Sequence, residues 1–107
     1  MGEIEEKGKI ILRELAKLDD NTREAIVKIA KKIGECCDEA EKYHNLIFEL
    51  QPEILFEPTT FSGEILDETR KYIDNYNLAC DTAATLMGMI PVKAIRDVFK
   101  WPEKIPL

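Results

Sequence analysis

The side chains able to do chemistry in this sequence are carboxylates, carried on two segments that both read as long helices. The first run is Glu35-Cys36-Cys37-Asp38-Glu39-Ala40-Glu41-Lys42-Tyr43-His44, in which Glu35, Asp38 and Glu41 recur at every third residue. Acids at that spacing share part of a helix surface, and such pairs on facing helices can hold a hard cation such as magnesium. The second run offers Glu64-x-x-Asp67, then Asp74 and Asp81, which follow Asp67 at heptad intervals. A Mg2+ held between them would polarise a phosphate chain and activate a water. The plainer reading of either run is a solvated acidic face.

Two other constellations compete. Glu41-x-x-His44 has the spacing by which a carboxylate-bridged di-iron bundle supplies one Glu and one His. His44 is the only histidine, however, so an iron-binding bundle would need ligands from two chains. Cys36, Cys37 and His44 suggest zinc, but neighbouring helical cysteines diverge by about 100° and chelate poorly. An odd cysteine count with two adjacent members does not make a disulfide framework; reduced, mostly buried thiols are expected.

The elements that would position these groups follow from apolar spacing. A first helix over 3–18 places Ile4, Ile11, Leu15 and Leu18 on one face. Asp19-Asp20-Asn21 interrupts it, and Asn21 followed by Glu24 has the form of a capping box. The second helix, 22–50, carries the strongest signal: Ile26, Ile33, Ala40 and Ile47 repeat at heptad spacing with no internal proline. Pro52 and Pro58 close it. The third helix, 63–88, is expected to start from Ser62 as N-cap, with Leu66, Ile73, Cys80 and Met87 on its stripe. Pro91 then opens a short fourth helix over 92–100, stopped by Trp101-Pro102. The expected fold class is all-α: one domain, 1–107, built on a long antiparallel helical hairpin with two shorter flanking helices.

Each long helix runs roughly 40 Å at the α-helical rise. The shorter helices can cover only one end of the hairpin. The other end carries Leu46, Ile47, Phe48, Leu50, Ile54, Leu55, Phe56 and Phe61. So large an apolar tip is rarely left bare by a monomer. A homodimer pairing two hairpins into a four-helix-bundle core is the expected solution; a lid of residues 52–61 over its own hairpin is the alternative. If the turn spans 51–62, Asp38 is level with Asn75 and its neighbour Asp74, Glu41 with Tyr72, and Glu35 with Leu78. Glu64 and Asp67 then lie about 15 Å along the helix from Asp38, too far to share a metal. The candidate metal set is therefore Glu35, Asp38, Glu41 and Asp74, with Asn77 beside it.

Two long antiparallel helices, a preceding helix, a short following one and expected dimerisation resemble the MazG-type all-α nucleoside-triphosphate pyrophosphohydrolases. Ile33-Gly34-Glu35 is similar to that family's Gly-Glu segment, and Tyr72-Ile73-Asp74 through Leu86-Met87-Gly88 to its second long helix. The likeness of architecture covers residues 3–100; that of motif covers a few positions. It implies Glu-x-x-Glu on one helix and Glu-x-x-Asp on the next, four acids binding Mg2+ as pyrophosphate leaves a nucleotide. On that footing Glu35, Asp38 and Asp74 are the catalytic candidates. Lysines occupy the first-acid positions, so Lys32 and Lys71, with Asn77, become candidates for holding the nucleotide phosphates. A member of the family that has lost its activity fits the same residues.

Composition removes other classes. Of the 107 residues 45% are hydrophobic and 34% charged, ordinary for a globular domain. The net charge of -6 and the lack of a basic stripe argue against nucleic-acid binding. No apolar run reaches the roughly 20 residues of a membrane span. The acidic start, Met1-Gly2-Glu3-Ile4-Glu5-Glu6, is unlike a signal peptide, which points to the cytoplasm. Three functions are thus in contention: a Mg2+-dependent nucleotide pyrophosphohydrolase, a non-catalytic homodimeric helical interaction module, and, more weakly, an iron-binding bundle.

Overall fold

A computed structural model describes residues 2–57, 61–99 and 103–106. Its elements are α1 (Gly2–Ala16), α2 (Asp20–Leu50), α3 (Pro52–Phe56), α4 (Asp67–Gly88) and α5 (Lys93–Arg96), with no strand among the described residues. The all-α hairpin expected from the apolar spacing is present: α2 and α4 run antiparallel and form the main packing interface of the molecule. None of the described helices is long and apolar enough to cross a membrane.

The helix ends differ from expectation for identifiable reasons. Asp19, not Asn21, caps α2: its Oδ1 accepts the Thr22 N–H at 2.9 Å, so Asn21 falls inside the helix. Arg23 then reaches back across the turn. Its Nε donates to the Leu15 carbonyl at 3.1 Å and its Nη2 to the Leu18 carbonyl at 2.9 Å. The Leu15 carbonyl also accepts the Leu18 N–H at 3.1 Å, and a cation is favoured at the C-terminal end of a helix by its dipole. One side chain thus finishes α1 and fixes its direction relative to α2.

The heptad stripe of α2 is buried as its spacing requires, with Ile26, Ile33, Ala40 and Ile47 all inside. The start of α4 is the larger correction. Ser62 does not cap it, Glu64 lies outside it, and Leu66, expected on its buried stripe, is the exposed N-cap residue. The cause is Gln51, a buried side chain at the end of α2. Its Nε2 donates to the Glu64 carbonyl at 2.9 Å, and its Oε1 accepts the Leu66 N–H at 3.0 Å. Held from both sides, residues 64–66 stay extended and helix begins only at Asp67. Asp67 and Glu68 then occupy the first turn, where negative charge is favoured. Gly63 allows the Phe61 ring to lie over the backbone; a Cβ there would meet the ring at 2.9 Å.

The apolar tip is closed by the chain itself, as in the lid alternative. Pro52 at the first helical position starts α3, which folds back on α2 and buries Ile54 completely. Leu55, Phe61 and Ile65 pack on the same core. Phe48 and Phe56 stay largely outside, in edge-to-face contact at 6.3 Å.

At the opposite end α1 packs on α5, and Ile26, Ile33, Ile90 and Ile95 form a second core with Leu15, Leu18 and Phe99 around it. The fourth helix is shorter than expected: Val92 is its N-cap, regular helix stops at Arg96, and i+3 turns continue to Phe99. Lys100, Trp101 and Pro102 lie outside the described residues, as do Pro58, Thr59 and Thr60. Residues 103–106 return along α4 and bury Ile105 in the first core.

Two separate cores joined by a bare pair of helices make the molecule elongated. Its extents are 52 × 28 × 19 Å and its radius of gyration is 16.8 Å, against about 13 Å for a compact chain of this length.

Candidate functional site

The waist between the two cores carries an open groove of about 740 Å3. From α2 it is lined by Lys32, Glu35, Cys36, Asp38, Glu39 and Tyr43, and from α4 by Asn75, Leu78, Ala79, Thr82 and Leu86. Both sets follow helical spacing: residues 32, 36, 39 and 43 make one stripe, 75, 79, 82 and 86 the other. These stripes adjoin the heptad stripes that hold the hairpin together. The groove exists because α1 and α5 cover one end, α3 covers the other, and neither reaches its side of the waist.

The helix lengths set Glu41 level with Tyr72, whereas in the structure it is the Tyr43 ring that lies against Tyr72. Asp38 and Asn75 line the same groove, as do Glu35 and Leu78. The Tyr43 and Tyr72 rings lie 6.0 Å apart, fixing the level one turn further on. The groove brings together Lys32, Glu35 and Asp38 of the candidate residues. Asp74, Lys71 and Glu41 are exposed and are not among its lining residues. Asp74 is one residue from Asn75, which turns its side chain by about 100° around the helix. Asn77 is engaged elsewhere, with both amide atoms on the backbone of Ile105.

Of the four proposed metal ligands, Glu35 and Asp38 line the groove, and Glu41 and Asp74 are not among its lining residues. Among the described residues, no three His, Cys, Asp or Glu side chains converge as a metal-binding group. The α4 residues that line the groove with Glu35 and Asp38 are Asn75, Leu78, Ala79, Thr82 and Leu86, with no acid among them. Within one chain this donor set does not fit a Mg2+ site of the four-carboxylate kind. Glu41 and His44 are likewise exposed; His44 sits beside Tyr76, with ring centroids 6.2 Å apart, and not in the core.

The electrostatics of the groove are one-sided. Glu35, Asp38 and Glu39 make its α2 rim acidic, relieved only by Lys32, while the α4 rim is neutral. Burial pushes the Cys36 thiol above its ordinary value, and the charges of Glu35 and Glu39 push it the same way. That thiol is a poor nucleophile at neutral pH. Cys80 is buried in the core and Cys37 is exposed, so the three cysteines occupy three different environments. Tyr76 is raised by burial and by its neighbour Cys80, as befits a core tyrosine.

Leu78 is the groove residue that the heptad pattern does not single out. It is 64% exposed at the middle of the α4 rim, with Ala79 and Thr82 beside it in the groove lining. The i, i+3, i+4 stripe running through Asn75, Leu78, Ala79, Thr82 and Leu86 was available as a signal, hidden beside the stronger heptad stripe.

Comparison with family models, curated proteins and solved structures gives no match. The MazG-type resemblance accordingly rests on the residues quoted for it.

Proposed function

We propose that this chain is a homodimeric helical interaction module whose waist groove is filled by a second copy. The observation that carries this reading is the groove itself: two helical stripes, mostly small or apolar on the α4 side, with Leu78 exposed at their centre. A pair of helices left bare on one side completes a bundle most simply by meeting the same pair in another molecule. The charge distribution selects how. Pairing α2 with α2 would oppose Asp38 and Glu39 to their own copies, whereas a two-fold axis beside α4 brings Leu78 to Leu78 and leaves the acids at the rim. Light scattering tests it: the chain has the mass of a dimer at micromolar concentration, and Leu78→Glu has the mass of a monomer with its helix content unchanged. A wild-type chain that stays monomeric at that concentration refutes the reading.

A second reading keeps the enzyme. Lys32, Glu35, Asp38 and Asn75 do line one groove, and its volume is in the range of small-molecule sites. In that reading the chain is a nucleotide pyrophosphohydrolase, with Lys32 contacting phosphate and the acids completed by those of a second copy. Pyrophosphate release from a panel of nucleoside triphosphates with Mg2+, lost in Glu35→Gln, would establish it. No release, together with no thermal shift by Mg2+ and nucleotide, removes it.

A further inference from the structure

Closing the tip of the hairpin does not account for two of its aromatic residues. Ile54 is fully buried, and Leu55, Phe61 and Ile65 pack on the same core, whereas Phe48 and Phe56 belong to neither core and are 52% and 72% exposed. A polar residue at either position would serve the lid as well. Yet both rings are held in place. Phe48 follows the buried Ile47 on α2, Phe56 ends α3 two residues after Ile54, and the rings meet edge to face at 6.3 Å. Paired exposed rings of this kind are a mark of interaction surfaces.

The charges around the rings say what would cover them. Between Lys42 and Arg70 the chain has six acids, Glu49, Glu53, Glu57, Glu64, Asp67 and Glu68, and no Lys or Arg. All six are exposed. That segment alone carries a charge of -6, equal to the net charge of the whole chain. Glu49 follows Phe48 directly, Glu57 follows Phe56, and Glu53 lies three residues before Phe56 on the same face of α3. Of the cations that border the segment, Lys42 lies over the Tyr43 ring, 5.3 Å from its centroid. A second copy brought tip to tip would set these acids against their own copies, and nucleic acid or an anionic membrane would be repelled in the same way. A cationic partner is attracted, and the rings add its shape. Residues one turn apart on a helix lie about 5–6 Å from each other, which matches the 6.3 Å between the two rings.

We propose that Phe48 and Phe56 anchor a docking surface for a basic amphipathic helix of a partner protein, its apolar stripe on the two rings and its Lys or Arg residues against the acids around them. The waist lies between the two cores, so the tip stays open whether or not a second copy fills the groove.

The test uses the full-length chain and a fluorescent peptide, Leu-Lys-Lys-Leu-Leu-Lys-Lys-Leu-Leu-Lys-Lys-Leu, whose leucines share one helix face. At low salt the chain binds it at least about tenfold more tightly than a scrambled order of the same residues, and does not bind the version with Glu in place of Lys. Phe48→Ser combined with Phe56→Ser weakens binding about tenfold or more with helix content unchanged, because both rings are exposed anchors. Glu49→Gln, Glu53→Gln and Glu57→Gln together weaken it about fivefold or more at low salt and flatten its salt dependence. The same change of charge at the waist, Glu35→Gln with Asp38→Asn and Glu39→Gln, weakens it about twofold at most. Leu78→Glu keeps the affinity within about twofold, so loss of the dimer and loss of this site are separate readings. Equal binding by the wild type and the phenylalanine variant overturns the proposal, as does protection from deuterium exchange by the peptide that lies away from residues 48–57. So does a wild-type mass that falls on the phenylalanine substitutions, since the tip would then hold a second copy.

Discussion

Gln51 and Leu66, far apart in sequence, are joined by a hydrogen bond of 3.0 Å from the Leu66 N–H to the Gln51 Oε1, and this contact determines where α4 begins. The same side chain donates to the Glu64 carbonyl, so one amide closes both sides of the return loop. Gln51 is buried, and removing it leaves two backbone groups without their partner. Gln51→Leu should therefore lower stability by about 1–3 kcal/mol in urea denaturation. Gln51→Glu keeps the acceptor and loses the donor, and should fall between the two. Equal stability of all three would mean that the loop finds its conformation without this clamp.

Arg23 plays the corresponding part at the other end of the hairpin. Its bonds to the Leu15 and Leu18 carbonyls are charge-assisted and part-buried, whereas its ion pair with Asp20 is exposed and weak. Arg23→Met should cost about 1–2 kcal/mol and release α1 from the α5 end, seen as faster amide exchange in α1. Asp20→Asn should leave stability within about 0.5 kcal/mol of wild type.

Asp19 gives the fold an acid limit. Its hydrogen bonds with Thr22, together with the nearby Arg23 charge, hold its carboxyl below the ordinary value of 3.8. A carboxylate lowered in the folded state stabilises fully above its unfolded value, and that contribution is lost as pH falls through the folded value. Asp19→Asn, which can still accept from Thr22, should thus match the wild type more closely at pH 3 than at pH 7, flattening the thermal midpoint below about pH 4. Parallel midpoint-versus-pH curves for the two chains would rule the cap out as a source of acid sensitivity.

How much of this was legible in the sequence depends on how local each determinant is. Ile26, Ile33, Ala40 and Ile47 announce α2 because one spacing sets both the helix and its buried stripe. Helix lengths gave the register only coarsely: Asp38 and Asn75 do line one groove, but Tyr43 takes the place against Tyr72 that the lengths assigned to Glu41. Ser62 misled because the cap rule is local, while the determinant of that helix start, Gln51, lies well upstream and acts through tertiary contact. Asp74 shows the other limit: rotation around the helix, which decides which residue faces the groove, turned on a single position. The tip was undecided between a partner and a lid because the same apolar residues satisfy either, and α3 with Ile54 supplies the lid.

Gly34 is exposed within α2, and a Cβ added there meets nothing within 4 Å. A glycine in a helix interior costs about 1 kcal/mol relative to alanine. Gly34→Ala should raise stability by nearly that amount, read as a higher urea midpoint with the same slope. It should also leave the molecular mass unchanged, because Gly34 is not among the groove residues.

The three thiols report on the groove without any substitution. Cys37 is exposed, Cys36 is half-buried with its thiol shifted upward, and Cys80 is buried. Iodoacetamide at neutral pH, followed by peptide mass spectrometry, should label them in the order Cys37, Cys36, Cys80, since access falls along that series. The protein concentration adds a second axis. Cys36 lines the waist groove, so pairing through it should slow labelling of Cys36 as the chain is concentrated into the dimeric range, while Cys37 keeps its rate. A Cys36 rate that stays constant while light scattering reports a dimer would place the two-fold contact elsewhere, with the exposed Phe48 and Phe56 at the tip as the next surface to examine.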